Sequence, residues 1–205
     1  MKTKAIIIAA SLVLLFPLKQ KAQTYTTGID AGVTTSSVNF SHLGNAFTNT
    51  IQGKGIMGFE GGLFERINCG MFLIQPMLLA AYQGGIVTYY NSDGSLNKTK
   101  FTEGNIEVPV LFGINLFDFL RIEAGPVYNW IYTTHFNNGN SIAITPSGFG
   151  YRIGANVEFG ILNLGVAYQS LSNPSYSSSN ASFTSLNEII FSAALCFGGH
   201  KSYNK

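Results

Sequence analysis

Residues 104–130 read GNIEVPVLFGINLFDFLRIEAGPVYNW, and two carboxylates stand there among side chains that otherwise avoid water: Glu107 between Ile106 and Val108, and Glu123 between Ile122 and Ala124. The period of the stretch is two. Ile106, Val108, Val110, Phe112 and Ile114 fall on one face, with Glu103, Asn105, Glu107, Pro109 and Gly113 on the other and Leu111 as the exception. From Leu120 onward, Ile122, Ala124, Pro126, Tyr128 and Trp130 alternate with Arg121, Glu123, Gly125 and Asn129. Such alternation marks strands with two unlike faces. The stretch therefore predicts a hairpin turning at 115–119, with both carboxylates on one side.

The same period recurs along the chain. Phe149, Tyr151, Ile153, Ala155, Val157 and Phe159 oppose Gly150, Arg152, Gly154, Asn156, Glu158 and Gly160; Leu162, Leu164, Val166 and Tyr168 oppose Asn163, Gly165, Ala167 and Gln169. Ile189, Phe191, Ala193, Leu195 and Phe197 oppose Glu188, Ser192, Ala194 and Cys196, interrupted by Ile190. Earlier, Ile29, Ala31 and Val33 oppose Asp30 and Gly32, and Met57, Phe59, Gly61 and Leu63 oppose Gly58, Glu60 and Gly62. Phe72, Ile74, Leu78, Ala80 and Tyr82 oppose Gln75 and Gln83, blurred by Leu73, Met77 and Leu79. These segments predict eight strands.

Connections alternate in length. Those near 66–70, 115–119 and 160–162 are short, whereas 35–53, 84–101, 132–148 and 171–184 are long and rich in Asn, Ser, Thr and Gly. Short turns at one end and long loops at the other fit an all-β, eight-stranded, antiparallel up-and-down transmembrane β-barrel. The even strand count puts both termini on the short-turn, periplasmic side. In such a barrel the apolar series meets lipid and the polar series points into a lumen just wide enough for side chains to fill. Asp30, Lys54, Glu60, Glu107, Arg121, Glu123, Arg152, Glu158 and Glu188 are then expected in the lumen as a structural ion network, since a buried charge persists only when paired or hydrogen-bonded. Pro109 and Pro126 each remove a ladder donor and are expected near strand ends or irregularities. Phe, Tyr and Trp130 near strand ends suit interfacial girdles.

Composition agrees with this class. Of 205 residues only 11% are charged, against 23 Gly, 16 Phe and 10 Tyr, a balance far from that of a disordered chain or an ordinary charged-surface domain. Residues 1–22 have the layout of a cleaved signal peptide: basic MKTK, apolar AIIIAASLVLLF, then a polar exit ending at the small Ala22. The barrel domain is expected over 23–199, with a periplasmic tail at 200–205. Without the four lysines of the leader, eight basic residues face ten acidic ones, so nothing suggests a nucleic-acid surface. The expected partners are outer-membrane lipid around the wall and a protein at the surface loops. No cofactor motif is present. Cys69 and Cys196 are too few for a disulfide framework and lack metal-ligand spacing, and small buried thiols are the commoner state.

Other chemistries have weak support. His42 and His135 fall in the first and third long loops and His200 in the tail, none with a Ser or Asp partner at a recognisable spacing, so no catalytic residue is assigned and the chain is expected not to be an enzyme. Asp93 and Gly94 in NSDGSLN lack the further acidic ligands of a calcium loop and read as a turn. A lipid-directed barrel enzyme and a soluble calycin-like carrier remain as alternatives. The carrier would need a far more charged outer face than the Gly, Asn and Gln seen here.

The motif of the opening stretch also carries a resemblance. Ile106, Glu107, Val108 and Pro109, followed by Ala124, Gly125 and Pro126, resemble the signature hairpin of the PorT-like outer-membrane β-barrel family. GFEGGLFERINCGMFLIQPMLLAAYQGG and GFGYRIGANVEFGILNLGVAYQSLSN resemble the hairpins before and after it. The resemblance implies a secreted outer-membrane barrel of Gram-negative bacteria. One branch of that family serves protein secretion, a role to which no feature of this chain can be tied, because fold does not decide function.

Overall fold

The computed structural model describes residues 23–43, 50–90, 95–117, 119–136, 147–172 and 181–198. The leader and the tail proposed from sequence lie outside these, as do Asp93, Gly94 and His200. The strands are β1 (Gln23–Leu43), β2 (Thr50–Gly55), β3 (Met57–Cys69), β4 (Phe72–Tyr90), β5 (Leu96–Asn115), β6 (Leu120–Phe136), β7 (Ser147–Phe159), β8 (Leu162–Ser172) and β9 (Ala181–Phe197). Each pairs antiparallel with its neighbour, β9 returns to β1, and β2 and β3 lie in turn along β4. β2 and β3 thus form one wall strand broken at Ile56, and the result is a closed barrel of eight wall strands. At the break, the Ile56 carbonyl accepts from the Ser36 hydroxyl (3.2 Å). Beside it the Ser36 carbonyl occupies the space a Cβ on Gly55 would need.

Stepping across the rungs from Tyr25 leads through Ile67, Ile74, Phe112, Ala124, Ile153, Tyr168 and Ile189 back to β1 at Thr35. The stagger around the barrel is therefore ten residues, Tyr25 to Thr35. Over eight strands this tilts the wall by about 40° from the barrel axis.

Outside is apolar. Ile29, Phe59, Leu63, Leu78, Phe112, Ile153, Val166 and Phe191 all stand exposed on the outer face. On β7 the outward series from Phe149 to Phe159 spans about 25 Å along the axis, the height of an outer-membrane hydrocarbon band. Stacked Phe59 and Tyr82 (centroids 5.5 Å apart) and tilted Tyr128 and Phe149 (5.1 Å) mark its upper rim. The lower end carries the two-residue turns at Gly70 and Gly160, whose φ of 66° and 62° is the left-handed region that glycine enters without a side-chain clash.

Inside, the residues that broke the alternation find their place. Leu73, Met77, Leu79, Leu111 and Ile190 all point into the lumen and are buried there. Phe64, Met77, Leu79, Leu111, Ala194 and Cys196 form one apolar cluster among them.

Two expectations need correction. Segments 84–101 and 35–53 were expected as loops, yet β4 runs to Tyr90, β5 starts at Leu96, and β1 continues to Leu43. Above the membrane both faces of a strand can meet water, so the two-fold hydrophobic signal fades while the backbone ladder continues. The prolines also sit in strand interiors. Ladder rungs are missing beside Pro76, Pro109 and Pro126, where the imino nitrogen has no hydrogen to give; the neighbouring rungs hold the strands in register.

One substitution and a set of spin labels test which face meets lipid. Val166→Arg, at mid-height on the outer face, should destabilise the barrel by about 2–4 kcal/mol in urea unfolding from phospholipid vesicles. Spin labels at Val108 and Tyr151 should report lipid, and labels at Glu107 and Arg152 should not; the reverse result would refute the assignment of faces.

Candidate functional site: the charged lumen

All three arginines of the chain, Arg66, Arg121 and Arg152, lie buried in the lumen. β7 places Arg152 between β3, β5 and β8. Its Nη1 and Nη2 donate to Glu60 at 3.0 and 2.8 Å in a forked pair, and Nη2 also reaches Glu107 at 3.2 Å. Its Nε donates to Gln169 Oε1 at 2.7 Å. The Gln169 amide then donates to Glu107 (2.9 Å) and Glu188 (3.1 Å). One guanidinium and one amide thus hold three carboxylates from three strands, the kind of planar recognition for which Arg is suited.

Higher up, Gln83 stands between Glu103 and Glu188. In one amide orientation it donates to Glu103 at 3.4 Å; in the other it donates to Glu188 Oε1 at 2.6 Å and accepts from Asn105. The second makes more and shorter bonds, and we adopt it.

A second centre lies below. Arg121 Nε donates to Glu123 (3.0 Å), and Arg121 and Arg66 share Glu158 Oε2 at 3.3 and 3.1 Å. Arg66 Nε donates to Gln75 (2.8 Å), and its guanidinium lies 5.3 Å from the centre of the Phe64 ring. Asn156 donates to the other Glu123 oxygen at 2.9 Å. The Glu158 side chain is 35% exposed, so this centre opens toward the short-turn end.

Of the nine residues proposed from sequence, Glu60, Glu107, Arg152 and Glu188 meet at the first centre, and Arg121, Glu123 and Glu158 at the second. Asp30 is buried in the lumen near the second centre. Lys54 lies on β2 opposite Ile86, and its side chain is outside the described part of the structure.

Arg66 is missing from the sequence-derived set, because the alternation from Met57 stops at Leu63 and 66–70 reads as a turn. Its even number, continuing Glu60, Gly62 and Phe64, was the available signal. Gln75, Gln83 and Gln169 were seen as polar positions but, being uncharged, were not counted as links.

His42 and His135 lie in strands, on β1 and β6, rather than in loops. Those two strands are not neighbours. His135 is exposed, with the Thr133 hydroxyl 3.4 Å from its Nε2. Both cysteines are free thiols: Cys196 faces the lumen, whereas Cys69 is exposed at the end of β3 rather than buried.

Between the two centres lies a cavity of about 20 Å³ lined by Asp30, Arg66, Arg121 and Asn163 among others. Each of these four residues has one buried polar atom without a protein partner: Asp30 Oδ1, Arg66 Nη2, Arg121 Nη2 and Asn163 Oδ1. Two donors and two acceptors complement a tetrahedral water, and the volume admits one.

Residues 21–186 match the family model described as the outer membrane protein beta-barrel domain, and the chain belongs to that family. It is a small outer-membrane β-barrel protein. Among solved structures it is similar to Neisserial surface protein A (11% identity, 84% of this chain and 97% of that one, TM-score 0.49). It is also similar to Ail, the attachment invasion locus protein of Yersinia pestis, in complex with the heparin analogue sucrose octasulfate (9% identity, 84% of this chain and 99% of that one, TM-score 0.44). No curated protein sequence matches it.

Arg152→Ala should cost about 3–5 kcal/mol, because it leaves Glu60 and Glu107 buried without their cation. Combining Arg152→Met with Glu60→Gln and Glu107→Gln should recover most of that loss in the same urea titration. Failure of the triple variant to recover would show that the network does more than neutralise itself. A high-resolution crystal structure should contain one ordered water touching Asp30, Arg66, Arg121 and Asn163.

Proposed function

We propose that this protein is a non-enzymatic contact protein of the outer membrane, whose long upper connections meet a partner and whose lumen is a stiffening core. The observation that carries this reading is the Arg152 centre. Glu60, Glu107 and Glu188 converge across the barrel on one buried guanidinium and its amide neighbour, Gln169. An ion passing through would have to displace groups whose separation leaves buried charges unpaired, at several kcal/mol each.

On this reading the residues named from sequence other than Lys54, with Arg66 added, form a structural ion network in the lumen. The short-turn end and both termini face the periplasm of a Gram-negative cell, after removal of a signal peptide. The Ile106 to Pro109 and Ala124 to Pro126 motif supports a place in the PorT-like family, and the secretion role of one branch of that family is not carried over to this chain. Against a lipid-directed enzyme stands the chemistry of His135, whose hydrogen-bond partner is the Thr133 hydroxyl rather than a carboxylate. The carrier alternative conflicts with the greasy outer wall, which a soluble barrel would turn inward.

Planar-bilayer recording tests the filled lumen. The refolded protein should give no conductance steps, and regular steps from the unaltered chain would overturn the proposal. Incubation with phospholipid and glycolipid vesicles should release no fatty acid.

A further inference from the structure

The Arg152 centre gathers more negative charge than its guanidinium neutralises. Three carboxylates, Glu60, Glu107 and Glu188, share that one cation, and the remaining links, Gln83 and Gln169, are uncharged. Arg66 and Arg121 are engaged at the lower centre with Glu158 and Glu123. With its carboxylates ionised, the upper centre therefore carries two charges in excess. The three residues are 5%, 0% and 1% exposed in that order, and a lumen so shielded from water keeps such charge only with a counter-charge beside it.

Beside this excess lie oxygens without partners. Glu107 Oε2 accepts from both Arg152 and Gln169, whereas its Oε1 accepts from nothing. Asn129, the rung neighbour of Glu107 on β6, has neither side-chain atom bonded. Asn105 stands one inward position above Glu107 on β5; its amide nitrogen donates to Gln83 and its Oδ1 is free. All three side chains belong to residues that are 0% exposed. Rung neighbours have Cβ atoms about 5 Å apart and successive inward positions about 7 Å, so the three border one space. The rung neighbour of Asn105 on β4 is the small Ala81, which leaves width there. One inward position above Asn129, Gln169 and Glu188 stand Ile131, Leu171 and Leu186, all buried, so apolar side chains close the lumen over the centre.

We propose that this space in the upper lumen binds one calcium ion, with Glu107 Oε1, Asn129 Oδ1 and Asn105 Oδ1 as its protein ligands and water completing the shell. Oxygen donors select a hard cation. Calcium accepts irregular sets of carboxylate, amide and water oxygens, whereas magnesium demands a near-ideal octahedron. Its two charges match the two in excess. Among the described residues no three carboxylate, imidazole or thiol groups form a metal cage, so the site is amide-rich, with a single carboxylate ligand. Of the reading above it rests only on the filled lumen.

The test refolds the full-length chain with calcium chloride or with EGTA, removes loose ions by gel filtration and counts retained calcium by plasma mass spectrometry. The unaltered chain should keep one ion, and so should Glu158→Gln, which alters the lower centre alone. The Glu107→Gln, Asn129→Leu double variant should keep none, with folding of each variant read from heat-modifiable migration on gels. Asn129→Asp retains the ligand oxygen and adds charge, and should hold the ion more tightly. Calcium at a hundred times its dissociation constant should raise the folding equilibrium about a hundredfold over EGTA, read from the urea midpoint, and sodium chloride of equal ionic strength should not. An unaltered chain that retains no calcium, or unfolds at the same urea concentration in calcium and EGTA, would overturn the proposal. So would retention by the double variant, since the ion would then lie elsewhere. Stabilisation by acid alone, equal with and without calcium, would overturn it too, because protons would then be the counter-charge. Conductance steps would defeat the filled lumen, whereas a non-conducting chain without calcium would defeat this site only.

Discussion

A peptide group inside hydrocarbon has no water to bond, so its hydrogen and its oxygen must both be satisfied by the protein. In this chain that single requirement accounts for the closure of β1 on β9 and for the antiparallel ladder of eight wall strands. Closure in turn sorts the side chains. Strand geometry sends alternate residues to opposite sides, so a wall that is greasy outside can hold any residue inside whose polar atoms find partners.

The stagger of ten residues makes the interior wider than a lesser stagger would at the same strand number. The added width is taken up by long side chains: Arg66, Arg121 and Arg152, with Gln75, Gln83 and Gln169 between them. Arginine suits this place because its fork can hold two or three carboxylates from different strands at once, as Arg152 does with Glu60 and Glu107. The lumen carboxylates are spread over β1, β3, β5, β6, β7 and β9, and the Arg66–Glu158, Arg152–Glu60 and Arg152–Glu107 pairs each tie together strands that share no backbone rung. Glycine supports this locally: opposite Phe64, the space a Cβ on Gly28 would need is filled by the ring.

Much of this was legible in the sequence because lipid is a strict solvent. On β7 from Phe149 to Phe159 every outward position is uncharged, and the period of two survives almost unbroken. The departures from it, Leu111 and Ile190 among them, were also informative, since each is an apolar residue on the lumen side. Legibility failed where that solvent pressure stops. The upper parts of β4 and β5 carry no alternation and read as loop, and the lower end of β3, with Arg66, reads as a turn. Which carboxylate meets which arginine was never readable, because lumen partners such as Glu60 and Arg152 lie 92 residues apart and on strands that are not neighbours.

The three prolines have a joint consequence. Pro76 stands opposite Val110, next to Pro109, and Pro109 stands opposite Val127, next to Pro126. They form a line along the rung direction across three successive staves of the barrel. Along that line several rungs are missing, so the rungs above and below keep the staves in register. The cylinder has a seam, and it lies on the side away from the joint where the first and last strands meet.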